Sequence, residues 1–479
     1  MKKNLSQDKT FKKVLLIQPN FPIPKKSHNH KDFLPIGLLK LASYYKNKGY
    51  EVKLNRLNSN FKSNIDHFNF KPDLILITSL FTYWSKYVKE AVTFCKIHFP
   101  TAKIVVGGIY ASLMPEHCRK YTGCDDVFVG VCEDAEDFEP DYSLVNVDYQ
   151  ILHTSRGCIR KCSCCGVYEI EPTFKYKKSI RESILKREKS RKKDIQIVTD
   201  QISIKTASKI NKLLKNVMDR EVAEIVNNIL SKEITKEIEK INRKKSAKII
   251  FYDNNLLANS HIKEILEELV ELKKQRIILN CESQSGFDGR ILLRSPELGV
   301  LLKKANFINP KIAWDGPFSD KEKIKRQIDI LIDSGYQDKY ISVFMIFNHD
   351  LSFDEMERKR IQCWEWNVQI TDCRFRPLDQ TFDNYNPYVK KPQSRKDYYI
   401  HPGWNDKLVR LFRSNIRKHN ICVRQDILYY SADIERKRIK KEKASKYKKM
   451  VFDTAKKYVS DAWDPSVVHY DVYPTKTSK

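Results

Sequence analysis

Ile151-Leu152-His153-Thr154-Ser155-Arg156-Gly157-Cys158-Ile159-Arg160-Lys161-Cys162-Ser163-Cys164-Cys165-Gly166 opens as an apolar strand and ends as a loop crowded with cysteine. Three residues separate Cys158 from Cys162, and two separate Cys162 from Cys165. That spacing suits one compact loop wrapped around an iron–sulfur cluster. Three ligands for a four-iron cluster leave one iron without a protein ligand, and an open iron can bind and activate a small molecule. Zinc is the other reading, since clustered intracellular cysteines often hold it and Cys164 offers a fourth donor. Against zinc, CxxxCxxC is not a common zinc knuckle, and no second CxxC or HxxxH pair follows at finger spacing.

Upstream of this loop, short apolar runs alternate with amphipathic stretches. Val14-Leu15-Leu16-Ile17 reads as a buried parallel strand. Pro35 to Tyr45 opens with proline near a helix start, carries apolar residues at helical spacing, and gives way at Gly49. Strands follow at Glu51–Leu54, Leu74–Thr78 and Lys103–Gly108, with a helix from about Lys86 to His98. Such alternation means a doubly wound, Rossmann-like parallel sheet, which binds ligands at the carboxyl ends of its strands. Residues 131–150 are acidic, contain Pro140-Asp141 and read as a linker.

Downstream, strands recur at Ile249–Tyr252, Ile277–Asn280, Lys311–Trp314, Ile341–Ile346 and Val368–Ile370. Helical segments at Ile262–Lys274, Pro296–Lys304, Lys321–Ser334 and Phe353–Trp366 separate them. With the strand before Cys158 this makes six β/α units, two short of a full eight-unit barrel. The expected fold class is therefore α/β: a Rossmann-like sheet over 1–145, then a partial (β/α)6 TIM-type barrel over 150–390. A lysine-rich stretch at 175–248, without proline or glycine, reads as a helical insertion in that barrel. Residues 391–479 form a basic C-terminal region, with a dense cationic helix at Ile434–Lys449 and a flexible tail.

Hydrophobic residues make up 41% of the 479 and aromatic residues 11%, which places the chain among globular proteins with real cores. No apolar run approaches the roughly 20 residues that cross a bilayer, and Val14–Ile17 is too short for a signal-peptide core. The expectation is a cytoplasmic protein with no membrane span, whose twelve cysteines are reduced thiols or metal ligands. The formal charge of +28 favours polyanionic partners, with RNA the first candidate. The basic stretch at 175–248 is then either an arm gripping RNA or a partner, or a solvated helix face.

The cysteine run resembles the CxxxCxxC loop of the radical S-adenosylmethionine (radical SAM) superfamily. That resemblance implies a [4Fe–4S] cluster on Cys158, Cys162 and Cys165, with SAM chelated at the open iron and cleaved to a 5′-deoxyadenosyl radical. It also implies low-oxygen conditions and an electron donor such as ferredoxin or flavodoxin. One departure lies inside the loop. The residue before the third cysteine is usually aromatic and here is Cys164, so Cys164 and Cys165 compete as third ligand and spacing favours Cys165. The upstream sheet, at LPIGLLKLASYYKNKGYEV and IVVGGIYASLMPE, resembles the cobalamin (B12)-binding domain that precedes many such enzymes. The DxHxxG loop of some relatives is missing, and His28 and His30 fit a solvated loop better than a cobalt site. Cobalamin is thus either bound without that histidine or lost from a vestigial scaffold.

In a parallel barrel, reactive groups lie at the carboxyl ends of strands. Asp253, Asn254 and Asn255 end the second strand, where the superfamily often has Gly-Gly-Glu to accept hydrogen bonds from the SAM ammonium. An Asx turn capping the next helix is the alternative. After the third strand, Glu282 and Ser285 are candidates for the ribose hydroxyls. Arg290 is a candidate bidentate partner of the SAM carboxylate, with Asp288 either a further contact or a brace for Arg290. Gly286 and Gly289 would let backbone approach a ligand closely. Asp315 follows the fourth strand, as a contact for substrate or SAM. Arg376 follows the sixth, facing an anion or pairing with Asp379. The resemblance implies modification of an unactivated carbon, a transferase such as an RNA methylase being one form. A peptide or small metabolite is the alternative substrate, and a zinc-stabilised nucleic-acid-binding protein the alternative outside enzymes.

Overall fold

The computed structural model describes residues 12–23, 34–57, 70–145, 147–190 and 247–426. His28, His30, most of the expected insertion (191–246), Ile434–Lys449 and the tail lie outside the described residues. Among the described residues no helix is long and apolar enough to cross a membrane.

The first half is a parallel sheet of β1 (Lys13–Gln18), β2 (Glu51–Arg56), β3 (Leu74–Ser79), β4 (Lys103–Gly108) and β5 (Asp126–Val127). Its order is β2-β1-β3-β4-β5. Alternate residues sort to its two faces, as the pleat requires. Leu15, Ile17, Ile75, Ile77, Ile104 and Val106 meet Val88, Ala91 and Val92 of the helix Ser85–His98. Val14, Leu16, Leu74, Leu76 and Val105 meet Leu38, Ala42 and Tyr45 of the helix Ile36–Asn47. Each such aliphatic side chain, once buried, contributes about 1.5–3 kcal/mol. These sandwiched runs are what makes the sheet doubly wound.

At the carboxyl edge of β4 the chain turns at Gly108, with φ +99°, into a short helix. A Cβ there would lie 2.3 Å from the Ser79 carbonyl oxygen. Gly108→Ala is expected to destabilise the protein by about 2 kcal/mol or more, through strain plus the clash, read as a lowered thermal midpoint. A midpoint equal to wild type would show that this edge is free to shift.

The acidic segment is not a loose linker. Ala135 is buried, and Phe138 and Leu144 pack against the same core. Lys40 donates to the Glu136 carbonyl at 2.7 Å, Ser43 to the Glu139 carbonyl at 2.6 Å, and Lys46 to Asp141 at 2.6 Å. Its acidity is matched to the lysines of the first helix, and its apolar residues face inward.

In the second half, β6 (Tyr149–Leu152) precedes a short antiparallel hairpin of β7 (Ser155–Arg156) with β8 (Lys175–Tyr176). The strand expected to run to Ser155 therefore stops at Leu152, and Lys175-Tyr176 belong to the hairpin rather than to a helical insertion. Ile180 and Ile184 follow it into the main core. Then come β9 (Ala247–Phe251), β10 (Ile278–Ser283), β11 (Lys311–Ala313), β12 (Ser342–Phe347) and β13 (Gln369–Arg374). They form two parallel sheets, β10-β9-β6 and β11-β12-β13. Isolated parallel bridges, Cys281 with Phe307 and Phe287 with Ile312, link them.

Among the described residues β6 and β13 do not pair, so no closed barrel forms. The exposed edge of β13 is covered by the helix Asp406–Gln425, whose Asn420 both accepts from the Ile370 N–H (2.8 Å) and donates to its carbonyl (2.7 Å). A side chain thus completes the ladder that a seventh strand would have completed. Tyr398, Trp404, Val409 and Phe412 join the same core as the strands. The first half sits across the open side. Leu34 and Leu39 pack against Tyr149 and Ile151 at the β6 edge. Near β13, Ser85 Oγ donates to the Thr381 carbonyl (2.9 Å), and the Arg376 guanidinium lies 4.6 Å from the Tyr83 ring.

Candidate active site

The cysteine loop is pinned at its base by one buried carboxylate. Asp253, at the carboxyl end of β9, is 1% exposed. Its Oδ1 accepts from the Thr154 N–H (2.9 Å), Thr154 Oγ1 (2.6 Å), the Ser155 N–H (2.6 Å) and Ser155 Oγ (2.8 Å). Oδ2 has no partner. Burial raises the Asp253 pKa, and the four donors work against that rise. Gly157, with φ +74°, turns the chain so close to Thr173 that a Cβ would lie 2.6 Å from its carbonyl oxygen. The β7–β8 hairpin brings the two ends of the loop together, and Cys158, Cys162, Cys164 and Cys165 all line one cavity of about 740 Å³.

Burial raises the pKa of Cys162 and Cys165 and pushes Cys164 up to about 11. A bound cation is what reverses that preference and ionises such thiols. The Arg160 N–H donates to Cys158 Sγ at 3.4 Å, and the Cys165 N–H to the Cys162 carbonyl at 3.1 Å. Among the described residues no three His, Cys, Asp or Glu side chains converge tightly enough to hold one metal ion.

Asn254, Asn255, Ser285, Asp288, Arg290 and Asp315 line the same cavity as the thiols. Asp288 caps the helix Gly289–Arg294. Its Oδ1 accepts from the Arg290 N–H (3.1 Å) and Nε (3.0 Å), and its Oδ2 from Arg160 Nε (3.0 Å) and Asn255 Nδ2 (3.0 Å). Burial acts to raise its pKa, but these donors win and hold it below the usual carboxylate value. Asn255 is thereby oriented, and its Oδ1 is buried without a partner. Ser285 Oγ donates to the Asp253 carbonyl at 2.7 Å. Asp315 faces the cavity, its pKa raised by burial against the pull of Lys359, Arg290 and His349.

Three expected contacts face elsewhere. Asp253 is committed to the loop base. Glu282 is buried with Lys311, whose Nζ lies 3.5 Å from its Oε1. Arg376 donates to Asp383 at 2.6 Å, as does Arg374 at 2.5 Å, so its partner is Asp383 rather than Asp379. Arg374 ends β13 and Arg376 follows just past it, and one carboxylate serves both.

Other lining residues escaped the sequence reading. Arg160 stands within the cysteine loop, where the cysteines drew all the attention. His349 and Asp350 lie just past Asn348, which has φ +59° and turns the chain back over the strand end. His349 Nδ1 is 3.4 Å from Asp350 Oδ2, and His401 Nε2 is 3.6 Å from Asp350 Oδ1. Lys359 sits mid-helix behind the wall and donates to the Trp314 (2.6 Å) and Gly316 (3.0 Å) carbonyls, its pKa pushed down to about 8 by burial. It braces the turn that presents Asp315, and nothing in the helix Phe353–Glu365 marks it in sequence.

Residues 29–138 match the family model of the B12 binding domain, on the first sheet. No curated protein matches the chain. Among solved structures, the chain is similar to the apo, SeMet-labelled cobalamin-dependent S-adenosylmethionine radical enzyme OxsB, at 12% identity and a TM-score of 0.42. The alignment covers 86% of this chain and 56% of that one, so this chain spans little more than half of its length.

Proposed function

We propose that the protein is a radical SAM enzyme whose [4Fe–4S] cluster is held by Cys158, Cys162 and Cys165. The observation that carries this reading is the placement of those thiols on one wall of a cavity at the carboxyl ends of parallel strands. Asn255, Asp288, Arg290 and Asp315 line the same space. The donor set fits: soft thiolates suit iron–sulfur centres, and the orphaned Asn255 Oδ1 suits an ammonium donor. On this reading β6 and β9–β13 form a partial (β/α)6 barrel, open between β6 and β13. Cys158, Cys162 and Cys165 would hold the cluster, which when bound and reduced would supply the one electron for splitting SAM into methionine and a 5′-deoxyadenosyl radical able to take hydrogen from an unactivated carbon. The chain's own residues bind, orient and exclude water. Asn255 accepts from the SAM ammonium, Arg290 faces its carboxylate with Asp288 as brace, and Asp253 fixes the loop.

The family match over 29–138 supports cobalamin at the carboxyl edge of the first sheet. Gly107 and Gly108 carry no side chain above that edge, which suits a broad ring. The described histidines of this half, His98 and His117, stand on helices, with His117 Nδ1 2.7 Å from the Tyr110 hydroxyl. Bound cobalamin makes methylation the natural transfer.

RNA rests chiefly on the net charge, because most of the basic stretch that motivated it, 191–246, lies outside the described residues. The cavity lining is mixed, with Asp315, Asp320 and Asp350 beside Arg290 and Lys323, unlike the basic groove that tracks a polyanion. That favours a peptide or small metabolite as substrate. Anaerobic reconstitution tests the metal: iron and sulfide near about four per chain are expected, and zinc in place of iron would overturn the reading. Absorption of the same sample reports cobalamin, and salt-dependent binding of RNA would restore the RNA reading.

A further inference from the structure

We propose that Glu171 is a positioning residue for the cysteine loop, and the last link of an ion chain that couples the loop to the N-terminal sheet. The proposal rests on the cluster reading above. Glu171 lies five residues past Gly166, close to the loop's return, yet its carboxylate reaches back to the start. Its Oε2 accepts from the Gly157 N–H at 2.6 Å and from Asn254 Nδ2 at 3.2 Å. One side chain therefore fixes the backbone just before Cys158, orients a cavity-lining asparagine, and closes the loop on itself.

Its other oxygen, Oε1, pairs with Arg156 Nη1 at 3.2 Å. Arg156 in turn meets Glu136 of the N-terminal half, with Nη2 3.4 Å from Oε2 and Nε 3.2 Å from Oε1. The Nε contact is off hydrogen-bond alignment, so charge rather than a directed bond holds it. Glu136 is itself anchored by Lys40 of the first helix, at 2.8 Å to Oε1 and 2.7 Å to its backbone carbonyl. The chain of charges runs Lys40, Glu136, Arg156, Glu171, then the Gly157 amide.

All four side chains are at most 27% exposed, so the pairs are poorly screened and each depends on the next. Removing one charge leaves its neighbour half-buried and unbalanced. A shift of the Glu133–Glu136 helix, such as a ligand on the sheet would cause, is passed through Arg156 to the loop that holds the thiols. By contrast Glu133, in the same helix, pairs with Lys175 where both side chains are more than half exposed. That exposed pair is worth little.

Hydrogen exchange of the metal-free protein tests this without any cluster. Glu136→Gln touches no atom of the loop, yet exchange over 157–166 is expected to rise about tenfold, while Glu133→Gln leaves it at the wild-type rate. Glu171→Gln, which keeps an acceptor for the Gly157 amide but not the charge, should show a rise of similar size. In reconstituted protein the low-temperature EPR signal of the reduced cluster should change in Glu136→Gln and Glu171→Gln, and return towards wild type in Glu136→Asp. Wild-type exchange in Glu136→Gln, or equal effects of Glu133→Gln and Glu136→Gln, would overturn the coupling. Wild-type protein that takes up no iron would sink the cluster reading instead, leaving the exchange result to judge the loop's positioning.

Discussion

Alanine in place of any one of Cys158, Cys162 or Cys165 is expected to strip most of the iron and to lower reductive SAM cleavage at least roughly a thousandfold, about 4 kcal/mol in the barrier. Each thiolate would hold a different iron, so losing one exposes a second open site and the cluster falls apart, more than a graded loss of affinity. Cys164→Ala sharpens the test because it is the neighbouring thiol in the same cavity. It should keep its iron, since spacing assigns the third position to Cys165, whose N–H closes the turn on the Cys162 carbonyl. Iron content and 5′-deoxyadenosine are read on the same samples. Iron lost from Cys164→Ala and kept in Cys165→Ala would exchange their roles. Iron kept in all four variants would remove the loop from the metal site.

The second large effect belongs to Asp253. Its removal in Asp253→Ala strands two backbone N–H groups and two hydroxyls at buried positions. Each unsatisfied buried donor costs about 1–3 kcal/mol, and the hydroxyls can partly re-pair, so a total loss of about 3–5 kcal/mol is expected. Asp253→Asn should cost less, about 1–3 kcal/mol. It keeps the Oδ1 acceptor, and its cost is an amide NH2 buried where Oδ2 finds no partner among the described residues. Denaturant midpoints measure both. A SAM-contact role makes the opposite prediction: near-native stability in Asp253→Ala with weakened SAM binding.

Much of the first sheet was legible because its strands are buried on both faces. Val14–Ile17, Leu74–Ile77 and Ile104–Val106 read as unbroken apolar runs, and Pro35 and Gly49 punctuate the helix between two of them. The β7–β8 hairpin was not legible. Two-residue strands have no period, and Ser155 meets Tyr176 across the whole cysteine loop. The acidic stretch was read by its charge, while Ala135, Phe138 and Leu144 decided its packing.

At the site, residue type at a strand end points to Asn255, Asp288, Arg290 and Asp315, which line the cavity, but does not separate a carboxylate facing a cavity from one facing backbone. Asp253 and Glu282 show the difference. The partners that claim them, Thr154 with Ser155 and Lys311, come from distant parts of the chain and are joined only by the fold. Asp379 is the carboxylate nearest Arg376 in sequence, yet the chain folds Asp383 back onto both arginines.

The central claim is that the thiols of the cysteine loop and the cavity beside them cleave SAM. Its most direct test is anaerobically reconstituted full-length protein, reduced with dithionite in the presence of SAM and assayed for 5′-deoxyadenosine. The account predicts 5′-deoxyadenosine that requires reductant, SAM and Cys158 together. Protein loaded with iron and sulfide that forms none, or forms as much in Cys158→Ala, would contradict it.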